Sequence, residues 1–295
     1  MVAALATLPA YKDLPGPPGP PWVGNLFQIR FDAFHSTLEN WADEYGPLYR
    51  FRVGPRKIAV ISDADTIKRM HRERPDMFRR TRSVASATEE MRLKGLFSSE
   101  GDDWRRQRKL VAMALNTAHL KPFFPKLQTI TERLMRRWET AADAETPVDL
   151  CRDLMRFTVD VTTQLAFGID FNTLETDGPV IQQNLDKVFP MLNWRVNAPF
   201  AYWRYLRFPK DRELDRALAQ VQQQVDEIIA DVRKRMLSDR SLYDAPTNFL
   251  EAIIAAKESE GIEFSDADIF GNVCTLLLAG EDTTANTVAW TVNYF

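Results

Sequence analysis

Cysteine is nearly absent. Cys151 and Cys274 are the only two in 295 residues, and they fall far apart on predicted helices. That excludes a disulfide framework and a cysteine zinc motif, and it fits a reducing, cytoplasmic setting. Histidine is scarce too. His35, His71 and His119 make no ligand cluster, and the first two read as surface helix residues. No stretch reaches the roughly 20 apolar residues that cross a bilayer. The opening MVAALATLPAYKDLPGPP has a short apolar run without a basic region, so it reads as neither signal peptide nor membrane anchor. Charge of one sign is also lacking. With 38 basic and 41 acidic residues, nothing suggests a nucleic-acid partner. The rest is ordinary for a globular chain, 45% hydrophobic and 27% charged. There is no internal repeat.

What is present is mostly helical signal. The proline-rich lead-in at 14–30 contains LPGPPGPPWVGN, which lacks the donors for helix or central strand. It reads either as a linker or, through Trp22 and Leu26, as a segment packed onto the body. Phe34, Leu38 and Trp41 share one helical face that stops at Gly46. Residues 47–62 read as a small hairpin turning at Gly54-Pro55, and DADTIKRMHRER as a helix with an acidic cap. From 101 to 295 the pattern predicts a helical body, with helices over 124–141, 149–167, 211–236 and 247–258. Ser265 and Asp268 form a capping box for a last helix that, if unbroken, runs to the final residue. Arg79, Arg80 and Arg82 read as a solvated basic run.

That last helix holds an anomaly. Ile269, Phe270, Val273, Leu276, Leu277 and Leu278 cover most of its circumference, as in a core helix. Gly280, Glu281, Asp282, Thr283 and Thr284 then interrupt it. Glycine costs about 1 kcal/mol there relative to alanine. Buried acids are expensive unless paired or near water. A threonine hydroxyl can bond the carbonyl one turn back and open the helix. Either the helix surfaces at Glu281, or it is widened to hold water or a small ligand beside an acid and an alcohol able to relay protons.

The run Ala279-Gly280-Glu281-Asp282-Thr283-Thr284 resembles the central helix of the cytochrome P-450 haem-thiolate monooxygenases. Other stretches match in order. The lead-in is similar to the family's proline-rich hinge. FSSEGDDWRRQRKL looks like its haem-contacting helix, with Trp104 and Arg108 in a Trp-x-x-x-Arg spacing. FTVDVTTQLAFGIDF resembles the helix ending in Phe167-Gly168. The resemblance implies a mainly α cytochrome P-450 fold with a small N-terminal β portion, in a soluble, bacterial-type member, spanning 1–295 and truncated within the central helix. It implies Asp282 and Thr283 as the acid-alcohol pair that delivers protons to dioxygen. Ala279 and Gly280 would lie over the haem (heme b), and Trp104 and Arg108 would donate to a haem propionate. Arg105, Arg106 and Lys109 would dock an acidic redox partner, a flavodoxin, ferredoxin or flavoprotein reductase, or form a solvated face. Phe189, Trp194, Phe200, Tyr202 and Trp203 would line a channel for a small apolar substrate, though core packing explains them equally well.

The family's cysteine ligand loop, Phe-x-x-Gly-x-Arg-x-Cys-x-Gly, and the Glu-x-x-Arg helix before it are absent from these residues. Neither cysteine substitutes, because Cys151 lacks the loop's glycines and Cys274 lies on the distal helix. The expectation is therefore the N-terminal part of a monooxygenase that inserts one oxygen atom into an apolar molecule, inactive alone. The alternatives are a haem-free pseudoenzyme or lipid-binding or partner-binding helical protein, or an isomerase or dehydratase of the same family.

Overall fold

Side-chain caps written into the sequence open five of the helices, at Asp63, Asn116, Asp149, Asn248 and Ser265. The computed structural model describes residues 10–74, 76–176, 180–198, 200–261 and 263–294. The chain forms two units, Met1–Arg79 and Arg80–Phe295.

The smaller unit holds α1 (Phe34–Tyr45), the antiparallel pair β1 (Leu48–Val53) and β2 (Arg56–Ile61), and α2 (Ala64–Arg72). Leu48 faces Ile61 and Val53 faces Arg56, so Gly54-Pro55 forms the turn. Asp63 accepts from the Thr66 N–H at 2.7 Å and caps α2 as predicted. Ile29, Trp41, Tyr49 and Phe51 make the core of this unit. The lead-in does pack down, but not through Trp22, which is 86% exposed. Asn25 anchors it by donating to the carbonyls of Pro17 and Pro18 and accepting the Arg52 N–H. Prolines offer carbonyls and no N–H, so such a segment is gripped through its acceptors.

The larger unit is helical: α3 (Arg82–Glu90), α4 (Gly101–Ala114), α5 (Thr117–Leu120), α6 (Phe124–Asp143), α7 (Leu150–Phe167) and α8 (Val180–Asn197). It continues with α9 (Pro209–Ser238), α10 (Ser241–Asp244), α11 (Phe249–Glu260), α12 (Asp266–Gly280) and α13 (Asp282–Asn293). The four helices predicted by periodicity appear as α6, α7, α9 and α11. Gly168 closes α7 in the left-handed region at φ 72°. The capping box of Ser265 and Asp268 opens α12. Among the predicted helices α3 is missing, because its RSVASATEE is small and polar and buries only Ala87 and Thr88. The basic run before it is not uniformly solvated. Arg79 and Arg82 are exposed, whereas the Arg80 backbone N–H donates to Glu100 and its guanidinium sits 4.8 Å over the Phe97 ring.

The main core joins α4, α7, α9, α11 and α12 around Leu110, Phe167, Val221, Ile253, Phe270 and Leu277. The loop before α4 lies directly on α12: a Cβ on Gly271 would fall 1.8 Å from the Lys94 carbonyl oxygen. Within this seam Asn272 donates to Gln107 and to the Asp268 carbonyl, and accepts the Leu96 N–H. Gln107, fully buried, also donates to Ser99. Such a satisfied polar seam fixes the register of α4 on α12.

Candidate active site

The predicted long helix is broken. α12 ends at Gly280, α13 begins at Asp282, and Glu281 between them has φ −79° and ψ −79°. Both segments pack on α7. The two sides of the break differ sharply. Cys274, Leu277, Glu281, Ala285 and Ala289 are buried at helical spacing, while Ala279, Asp282, Thr283, Asn286 and Thr287 are exposed.

This arrangement corrects part of the expectation. Gly280 does not share the open face with Ala279. A Cβ at Gly280 would meet the Thr162 methyl of α7 at 2.2 Å, so glycine is required there by helix–helix contact. The buried acid of the pair is Glu281, at 5% exposure, and Asp282 is the outward one. The signal for Glu281 was in the sequence: it stands four residues after Leu277 and four before Ala285, on the core stripe.

On the open face the Thr283 hydroxyl donates to the Ala279 carbonyl at 2.6 Å. The Thr287 hydroxyl bonds the Thr283 carbonyl at 2.6 Å, and that of Thr291 bonds the Thr287 carbonyl at 2.8 Å. Asn286 donates to the Asp282 carbonyl. The helix is thus opened at Glu281 and its next turns are lined by hydroxyls that bond back to the backbone.

On α4, Trp104 is half-buried and Arg108 exposed, one turn apart on the same face. The basic neighbours divide. Arg105 is held by Asp102 at 2.6 Å. Arg106 bonds Asp103 at 2.5 Å and the Glu263 carbonyl at 2.6 Å, and lies 3.8 Å from Asp268. It clamps α4 to the start of α12 and so is no free docking charge. Lys109 is exposed.

The five aromatics are not gathered around one channel. Phe189 packs against the main core. Trp194 and Phe200 point outward, 61% and 66% exposed. Trp194 donates to the Tyr202 hydroxyl at 2.9 Å. Trp203 is buried, donates through Nε1 to Glu90 at 2.5 Å and carries the Arg195 guanidinium 5.0 Å over its ring. Its role here is a clamp, because an indole N–H beside a carboxylate forms a strong charge-assisted bond.

Neither cysteine suits a metal. Burial pushes the Cys274 thiol up to about 12, which keeps it protonated and inert. Cys151 is exposed in the first turn of α7. No cluster of His, Cys, Asp or Glu among the described residues can hold a metal ion. No described helix is long and apolar enough to cross a membrane.

The geometry is a mainly helical body with a two-stranded sheet, carrying a helix opened at Glu281 with an acid and a hydroxyl on its free face. The cytochrome P450 family model matches residues 14–294, and the chain belongs to that family. It is 25% identical to a carotene epsilon-monooxygenase, chloroplastic, of Arabidopsis thaliana, covering 88% of this chain and 49% of the relative. It is 28% identical to a cyclooctatin synthase of Streptomyces melanosporofaciens, with 83% and 51% covered. It is 23% identical to a bifunctional cytochrome P450/NADPH–P450 reductase of Gibberella moniliformis, covering 97% of this chain and 25% of that protein. The chain thus spans about half the length, or less, of the curated relatives it matches. These sources do not single out a bacterial type.

Proposed function

We propose that the chain is the distal portion of a haem-thiolate monooxygenase that oxidises a small apolar molecule, and that the iron ligand lies outside these residues. The observation that carries this reading is the break at Glu281, which turns Ala279, Asp282 and Thr283 to one open face. The donor set fits a haem. Ala279 brings no bulk, and the Trp104 indole and Arg108 guanidinium are donors only, suited to propionates. When bound, the haem supplies dioxygen activation and the oxidising power.

The chain's own residues do the rest. Asp282 takes up protons from water at the exposed end of the break. Thr283 holds the next position, its Oγ1 fixed on the Ala279 carbonyl. Glu281 stays on the core side of the break. An acidic electron donor would meet the exposed side of α4, where Arg105 and Lys109 lie, in competition with partners such as Asp102; a reductase fused to a P450 in one relative's printed name is in keeping with such a partner. The intact acid-alcohol pair favours monooxygenation over isomerase or dehydratase chemistry.

The test is made on the complete protein. Asp282→Asn and Thr283→Val should each lower product formed per electron consumed, with turnover falling roughly 10²-fold or more, the usual weight of a positioned proton donor. Full coupling in both variants would sink the relay. The 295-residue chain alone, given haem, dithionite and CO, should show no thiolate-type Soret band.

A further inference from the structure

We propose that Thr162 of α7 is a positioning residue for the break at Glu281: its methyl pins the backbone at Gly280 and so fixes where Asp282 and Thr283 stand on the open face. The inference rests on the relay reading above and adds to it a residue from another helix. A break of this kind needs a holder. Glu281 stands at φ −79° and ψ −79°, away from the helical pair of about −63° and −42°. It makes no side-chain capping bond to the first turn of α13, so the second segment starts without the usual local anchor. The holding contact has to come from a neighbour, and α7 packs on both segments.

Thr162 is suited to that contact. It is buried. Its hydroxyl donates to the Thr158 carbonyl at 2.8 Å, with the Val159 carbonyl at 3.2 Å. Those bonds fix the rotamer of a β-branched side chain, and with it the direction of the methyl. The methyl fills the place that a side chain at 280 would take. Both partners are thus specified: a glycine that offers bare backbone, and a methyl that is held in place. On the far side of the break, Leu154 of α7 joins Ala285 and Ala289 of α13 in one buried cluster. Leu154 and Thr162 lie eight positions apart on a continuous helix, about 12 Å along its axis. α7 is therefore a splint across the opening. The effect then passes along the chain. Gly280 follows Ala279, whose carbonyl accepts the Thr283 hydroxyl at 2.6 Å. A backbone shift at 280 moves that acceptor, and misplacing a reacting group by about 1 Å can cost roughly 10²-fold in rate.

Two substitutions separate position from packing. T162S keeps the hydroxyl bond and deletes the methyl. T162V keeps the methyl and the volume, holds one strong rotamer in a helix, and deletes the bond. In the 295-residue chain, amide exchange across 279–287 should rise roughly tenfold in T162S and stay within about twofold of the wild type in T162V, with exchange in α9 unchanged in both. In the complete haem-loaded protein, T162S should lower product formed per electron consumed roughly tenfold at unchanged KM, and T162V should restore it. Unchanged exchange or full coupling in T162S would each overturn the proposal, as would a T162V protein impaired as much as T162S. Asp282→Asn and Thr283→Val, run beside them, keep two failures apart. If they uncouple and T162S does not, the pin alone falls; if both stay fully coupled, the relay reading falls and the pin with it. Should T162S lose its helical circular dichroism, T162V decides alone: normal coupling there upholds the methyl contact, and lowered coupling overturns it.

Discussion

At Gly280 one missing methyl group sets the contact between two helices. Alanine would gain about 1 kcal/mol of helix propensity, yet its Cβ would sit 2.2 Å from the Thr162 methyl. Thr162 is β-branched, buried and bonded to the Thr158 carbonyl at 2.8 Å, so it cannot swing aside. Gly280→Ala should destabilise the chain by about 1–3 kcal/mol in urea unfolding, and adding Thr162→Ser should restore part of that. A Gly280→Ala chain as stable as the wild type would remove the packing reading. Asn272→Leu should cost a similar amount, about 1–3 kcal/mol, because the Leu96 N–H and the Gln107 side-chain oxygen lose a partner inside the seam. The sequence marked Gly280 as out of place in an apolar helix. It did not name Thr162, since a contact between distant positions leaves no local signal. Glu281, by contrast, was readable from its spacing.

Among the helices, α4 and α12 depend most visibly on charge. Burial would raise the Asp103 pKa, but bonds from Arg106, Lys94 and Ser99 outweigh it and hold the carboxyl below the usual range. A folded pKa below the unfolded one means stability that is complete above the ordinary carboxylate range and is lost as pH falls through the lowered value. Asp160 has the opposite sign. Burial raises it despite bonds from the N–H groups of Thr173 and Leu174, so its ionisation removes stability as pH rises through the window just above the ordinary range. Urea midpoints measured against pH should therefore show a shallower acid-side loss in Asp103→Asn than in the wild type; parallel curves would contradict the assignment. Boundaries of α2, α7 and α12 were legible because a cap residue fixes each. The break at Glu281 was legible only as a composition change. The aromatic segment at 189–208 was legible only as aromatic, because the same rings serve as core, clamp and outer surface, and the positions of Glu90 and Arg195 distinguish the clamp.

Across the whole molecule, the helical body and the family were legible from motif order, since each motif names a backbone feature that the chain has to build. Which faces need a partner was not. On the free side of α13, Trp290 and Tyr294 are 62% and 81% exposed, with rings 6.2 Å apart. An apolar surface of this kind marks a place of association. Sedimentation of the chain should show concentration-dependent self-association, reduced in W290S/Y294S; a monomer at all concentrations would show that this face does not drive it.

The hydroxyl ladder on that helix has one more consequence. Thr283, Thr287 and Thr291 have each committed their single proton to a backbone carbonyl one turn back. Toward the outside they therefore show only lone pairs. In this state the free side of the helix is a row of acceptors, and Thr283 can receive a hydrogen bond from whatever lies before it but cannot give one. In the proposed relay, Thr283 must first let go of the Ala279 carbonyl before it can give a proton onward, so one backbone oxygen would gate that step.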